Sequence, residues 1–128
     1  EVFSLRYIRQ IVSALKDELP VIVFAKGAWA SLPEMADTGA YGLGIDWCIE
    51  PAVARQMAGD NITLQGNFDP AKLLAPIPEI EKATKQMLKA FGRKRYIANL
   101  GHGILPGVPV DHAKAFVNTV KEYDWSNG

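Results

Sequence analysis

Four short runs, Val21-Ile22-Val23-Phe24-Ala25, Gly42-Leu43-Gly44-Ile45-Asp46, Ile62-Thr63-Leu64-Gln65-Gly66 and Tyr96-Ile97-Ala98-Asn99-Leu100, recur along the chain with helical patterns between them. Apolar runs this short suit strands covered on both faces, and a helix between consecutive strands supplies the crossover that parallel pairing needs. Residues 3–19 place Phe3, Tyr7, Ile8, Ile11, Val12, Leu15 and Leu19 on one stripe, which predicts an amphipathic helix with one buried face, stopped by Pro20. Ser31 and Glu34 have the spacing of a capping box opening a helix that Gly39 ends. Pro51 suits the first position of the next helix, which Gly59 closes. Ile80, Ala83, Met87, Leu88 and Phe91 form the apolar face of a helix over about 78–91, with Glu79 and Glu81 early, Lys85 and Lys89 late, and Gly92 beyond. Val110, Ala113, Val117 and Val120 share one side of a last helix expected to end near Tyr123.

The fold class is therefore α/β, built of parallel βα units in one piece, with no internal repeat and no dividing linker. Four such units make either a small doubly wound sheet or half of an eight-stranded barrel of about 250 residues, and periodicity leaves both open. In both folds ligands bind at the carboxyl ends of the strands. Polar residues and glycines gather there in every unit: Lys26-Gly27, Asp46-Trp47, Gln65-Gly66-Asn67 and Asn99-Leu100-Gly101-His102-Gly103.

Composition narrows the ligand. Fourteen Lys and Arg balance fourteen Asp and Glu without a basic stripe, which argues against nucleic acid as the main partner. No apolar run approaches the roughly 18 to 20 residues of a membrane span, and no charged segment precedes an apolar one as in a secretory signal. Cys48 is the single cysteine, so one chain can form neither an internal disulfide nor a thiolate zinc cage, and a reducing compartment is expected. Residue 1 is Glu and the first helix begins almost at once, so the chain is expected to be part of something longer.

Among residues able to carry chemistry, His102 stands between two glycines just past a strand, where an imidazole can project into a cleft and hold a carboxylate or move a proton. The alternative is a histidine in a surface turn. His112 lies in the first turn of the last helix and is expected to face solvent. Asp46 either points into the same cleft or tethers a loop. Gln65 and Asn67 flank Gly66; one amide is expected to reach inward and the other outward unless the strand ends between them, and an amide satisfying loop backbone is as good a reading as a ligand contact. Lys26 can bind an anion or pair with a neighbouring carboxylate. Trp29, Trp47 and Trp125 suit packing, with Trp47 best placed to line a pocket. No dinucleotide glycine loop, Walker loop, nucleophile elbow or HExxH motif is present, and the two histidines have no cysteine near them.

Taken in order, the strand ends resemble the C-terminal portion of the uroporphyrinogen decarboxylase family. Ala25-Lys26-Gly27 is similar to that family's strand ending in Lys-Gly, Gly44-Ile45-Asp46-Trp47 to its Gly-x-Asp-Trp, Gln65-Gly66-Asn67-Phe68-Asp69-Pro70 to its Gln-Gly-Asn-x-Asp-Pro, and Asn99 through Pro106 to its C-terminal signature. Ala25 departs from the Ser or Thr of many members and lacks their hydroxyl. The resemblance implies the second half of a TIM (β/α)8 barrel, with residues 1–128 as the C-terminal half of one barrel domain. It implies decarboxylation of the acetate side chains of uroporphyrinogen to methyl groups, giving coproporphyrinogen for haem, with no metal or organic cofactor, in a cytoplasmic homodimer. His102 matches the family's active-site histidine, which contacts the substrate's carboxylates; Asp46, Trp47, Gln65 and Asn67 match motif positions at the barrel mouth. The family's substrate-binding arginines, an aspartate that meets the pyrrole N–H groups, and a tyrosine and a serine fall before residue 1. Arg6, Arg9, Arg55, Arg93 and Arg95 sit away from the strand ends, so the chain alone is expected to be inactive and to pair with the N-terminal half of the barrel. Other readings are a non-catalytic tetrapyrrole-binding or assembly half barrel, a corrinoid-dependent methyltransferase, whose zinc ligands include cysteines not found here, and a flavodoxin-like phosphate binder.

Overall fold

A computed structural model describes residues 4–127. Helix α1 spans Leu5–Leu15, strand β1 Ile22–Phe24, α2 Leu32–Ala36, β2 Gly42–Ile45, α3 Pro51–Ala58, β3 Thr63–Phe68, α4 Ile77–Phe91, β4 Tyr96–Leu100 and α5 Val110–Glu122, with 3₁₀ turns at Trp29–Ser31, Pro70–Leu74 and Trp125–Asn127. The sheet order is β1-β2-β3-β4 and every pairing is parallel. A doubly wound sheet reverses direction at a switch point. Here each crossover moves to the next strand in the same sense, which is how a barrel is laid down, so these are the βα units of a TIM-type barrel.

Side-chain alternation sorts the strands into two rows. Val23, Leu43, Leu64 and Tyr96 are register partners on the helix side, where Leu43 and Leu64 are fully buried against Leu32, Met35 and Ala54. Phe68, Leu73, Ile80, Leu88 and Phe116 form a second cluster beneath α4 and α5. The opposite row, Ile22, Phe24 and Ile97, is 38%, 47% and 39% exposed, an apolar sheet face that no element of the described chain covers.

The local punctuation works where it is purely local. Pro51 begins α3, Gly59 ends it at φ +85°, and Gly92 ends α4 at φ +75°. Elsewhere tertiary packing changes the outcome. Ser31 makes no capping bond, because Trp29–Ser31 is already a 3₁₀ turn, and α2 stops at Ala36 before Gly39. Helix α1 ends at Leu15, short of the expected residue 19, and only Val12 on it is buried; Tyr7, Ile11 and Leu15, and Leu19 beyond it, are exposed, since no other element of the described chain covers that side, and Phe3 lies outside the described residues. Helix α5 buries Ala115, Phe116 and Thr119 and leaves Val110 and Val117 exposed, because the Phe116 ring packs on Phe68 with centroids 5.0 Å apart. His112 is half-buried rather than turned wholly to solvent: its Nδ1 lies 2.6 Å from the Leu73 carbonyl and ties α5 to the turn after β3.

Arg55 on α3 donates to the carbonyls of Gly59, Ile62 and Arg95 at 3.1, 2.7 and 2.9 Å, joining the starts of β3 and β4 at the edge remote from the strand carboxyl ends. Replacing it by alanine removes the part-buried bond to the Ile62 carbonyl and two exposed ones, while the Arg95 carbonyl keeps the Leu64 N–H at 2.9 Å, and is expected to lower stability by about 1 kcal/mol, with lysine restoring little because it lacks the planar fork. Urea unfolding of the two variants in a polypeptide of the relatives' length checks this.

Candidate functional site

At the carboxyl ends of the strands lies an open cleft of about 480 Å³, bordered by Phe24, Gly44, Gln65, Asn99, His102 and Ile104. Two glycines shape it. A Cβ on Gly44 would stand 2.8 Å from Cβ and Cδ2 of Phe24, its register partner, so the missing side chain lets the Phe24 ring lie over β2. A Cβ on Gly101 would stand 2.5 Å from the backbone nitrogen of Trp47, so the chain leaving β4 runs directly against the chain leaving β2. His102 follows and is exposed at the cleft, its ring edge-on to Phe24 with centroids 6.3 Å apart at 66°.

Asp46 takes the tethering role rather than facing His102. It is 5% exposed, and its carboxylate accepts from the N–H groups of Gly27 at 3.0 Å and Cys48 at 3.3 Å, binding the end of β1 to the end of β2. Burial pushes this carboxyl up, but the N–H groups of Gly27, Cys48 and Trp47 and the Cys48 thiol outweigh it and hold the group below its ordinary 3.8. A depressed folded-state value means the tether contributes fully above 3.8 and is lost as pH falls through the lower folded value. Thermal unfolding from about pH 5 to about pH 2 is expected to show an acid-dependent loss of stability that Asp46→Asn diminishes. The Cys48 thiol is held protonated by its desolvation and by the Asp46 carboxylate, so it is a poor nucleophile.

Gln65 and Asn67 part company. Gln65 lines the cleft, whereas Asn67 is buried and its Nδ2 donates to the carbonyls of Asp46 at 3.0 Å and Ile49 at 2.6 Å. Regular pleating puts residues two apart on one face. Gly66, at φ +139°, breaks that pattern, and its carbonyl accepts from the Tyr96 hydroxyl, whose burial keeps the phenol protonated. Trp47, 48% exposed, borders a different groove of about 270 Å³ together with Asn67, Asp69, Lys72 and Met87. Lys26 is exposed near Cys48, and Trp125 packs on Tyr123.

The sequence-derived set therefore divides: His102 and Gln65 share the cleft, Asp46 and Asn67 fasten the loops that frame it, and Trp47 turns to the helix side. Phe24 borders the cleft without having been singled out from sequence, and Asn99, named there only as part of a strand-end run, borders it too. The available signal for Phe24 was the Gly42–Gly44 pair, small residues two apart that open one sheet face to a neighbour. Among the described residues no group of three or more His, Cys, Asp or Glu is placed to hold a metal ion, and no helix is long and apolar enough to cross a membrane.

The sequence model of the family described as "Uroporphyrinogen decarboxylase (URO-D)" matches residues 1–123. The chain belongs to the uroporphyrinogen decarboxylase family. It is 58% identical over 121 residues to the uroporphyrinogen decarboxylase of Flavobacterium johnsoniae, covering 94% of this chain and 36% of the relative. Identity to that of Homo sapiens is 43% over 129 residues, covering 94% and 35% respectively. The chain thus spans about a third of the length of these decarboxylases. A solved methyltransferase from Methanosarcina mazei superposes with a TM-score of 0.79 at 22% identity, over 94% of this chain and 35% of that one, and shares the fold. In this decarboxylase family segment, the four strand-end motifs are thus carried by consecutive strands of one parallel sheet.

Proposed function

We propose that this chain is the C-terminal half of a single-domain TIM-barrel uroporphyrinogen decarboxylase, a carboxy-lyase that turns the acetate side chains of uroporphyrinogen into methyl groups and yields coproporphyrinogen. The observation that carries this reading is the placement of His102 and Gln65 in one cleft with the Phe24 ring. A tetrapyrrole polycarboxylate offers carboxylates around apolar rings, and an imidazole and an amide beside an aromatic surface complement that combination.

Decarboxylation without a cofactor is chemically reasonable when a pyrrole ring is protonated, because the ring then accepts the electron pair of the breaking C–C bond as carbon dioxide leaves. A second proton converts the resulting methylene to methyl, and loss of the first proton from the ring restores the neutral aromatic pyrrole, so one proton is consumed for each carbon dioxide released. The protein's tasks are to hold the carboxylates, supply protons and stabilise the cationic ring. His102 is suited to binding and orienting the reacting acetate and to moving a proton. Asp46 and Asn67 serve the barrel mouth as its frame, Trp47 borders the neighbouring groove, and Gln65 contacts substrate.

Cations for the remaining carboxylates come from elsewhere in the barrel. Arg6 and Arg9 lie on α1, where Arg9 reaches Asp37 at 3.4 Å, Arg55 sits at the far edge, and Arg93 and Arg95 precede β4. The reading includes a cytoplasmic homodimer working without metal or organic cofactor. The 128-residue chain alone is expected to leave uroporphyrinogen unreacted, whereas a polypeptide of the relatives' length carrying it converts the substrate. Turnover by the short chain would overturn this division of labour, and tight binding without conversion by the long one would favour a non-catalytic tetrapyrrole-binding or assembly role.

A further inference from the structure

The cleft has an uneven chemistry that the decarboxylase reading leaves unused. His102 is the single titratable side chain among its described lining residues, and the polar groups beside it are the neutral amides of Gln65 and Asn99. The aromatic surface of the cleft is the Phe24 ring, 47% exposed at the last position of β1 and laid over Gly44, with Ile104 adding aliphatic surface at the rim. The ring and the imidazole meet edge-on at 6.3 Å, so a group touching one lies within reach of the other.

A reaction that removes the same group repeatedly from one molecule must hold partly reacted substrate, in which a methyl stands where an acetate stood. A purely polar pocket would penalise that methyl, and a purely apolar one would reject the acetate. We infer that Phe24 is a specificity-determining residue: the His102 imidazole and the Phe24 ring are the two halves of one subsite, the first taking an acetate carboxylate and the second the methyl that replaces it. This rests on the decarboxylase reading given above.

The test uses a polypeptide of the relatives' length, with uroporphyrinogen as substrate and separation of products by carboxylate number. Phe24→Ala is expected to slow the later decarboxylations about tenfold more than the first, so that intermediates bearing both acetate and methyl groups accumulate. Phe24→Leu, which keeps apolar volume, is expected to restore much of the wild-type product pattern. Gly44→Ala, which pushes the Phe24 ring from beneath, is expected to reproduce the accumulation. Should Phe24→Ala fail to fold, Gly44→Ala decides the matter. An unchanged intermediate pattern, or equal slowing of first and later steps, in folded variants would overturn the inference while the wild type still converts substrate. Absence of conversion by the wild type would overturn the decarboxylase reading and this inference with it.

Discussion

Changing His102 to glutamine in a polypeptide of the relatives' length is expected to lower kcat/KM for uroporphyrinogen by about 10²-fold or more and to disturb the order in which acetates are lost. Glutamine keeps a hydrogen-bonding side chain of moderate length but can neither carry a positive charge nor pass a proton at neutral pH. Because His102 is exposed and its ring meets Phe24 edge-on, the substitution is expected to change stability by no more than about 0.5 kcal/mol. Loss of rate without loss of fold is thus the signature. Steady-state kinetics with product separation, alongside thermal unfolding, measures both; unchanged rate and unchanged order would remove His102 from the mechanism.

Gly101→Ala should act through geometry. Its Cβ would lie 2.5 Å from the Trp47 nitrogen, 2.8 Å from its Cβ and 2.9 Å from its Cα, so what blocks it is chiefly backbone, and no rotamer change relieves the overlap. The loop bearing His102 must move away from the end of β2, with an expected destabilisation of about 1–3 kcal/mol. A displacement near 1 Å at a reacting group costs about 10²-fold in rate, so activity is expected to fall by at least that much. Gly103 supplies the control, since a Cβ there meets nothing within 4 Å. Gly103→Ala is expected to stay within about 0.5 kcal/mol of the wild-type stability. Equal behaviour of the two alanine variants would show that the close approach of Gly101 to Trp47 does not position the loop.

How much of this was legible in the sequence depends on how local each cause is. Helix α3 could be read from Pro51 and Gly59 because capping involves residues a few positions apart. Strand β4, Tyr96–Leu100, matched its run, while β3 continued two residues past Gly66 to Phe68, held in the ladder by Leu100. The expected face of α5, Val110, Ala113, Val117 and Val120, leaves out Phe116, whose contact with Phe68 lies 48 positions away in sequence and fixes the rotation of the helix. On α1, the stripe correctly identifies residues suited to burial, yet periodicity carries no information about what covers them.

The site divides in the same way. A histidine between glycines after a strand advertises itself, and structure puts His102 at the cleft. Asp46 and Asn67 could not be assigned from spacing, because their partners, Gly27 for the carboxylate and the Asp46 and Ile49 carbonyls for the amide, meet them only when the strands align. Phe24 looked like one more strand residue; its role depends on the register that sets it beside Gly44.

The most direct test of the central claim is product analysis after uroporphyrinogen is incubated with a purified polypeptide of the relatives' length containing this segment. The expected result is coproporphyrinogen, with one carbon dioxide released for each acetate lost. Recovery of unchanged uroporphyrinogen from a folded protein that binds it would contradict the account and make the cleft around His102 a binding site without chemistry.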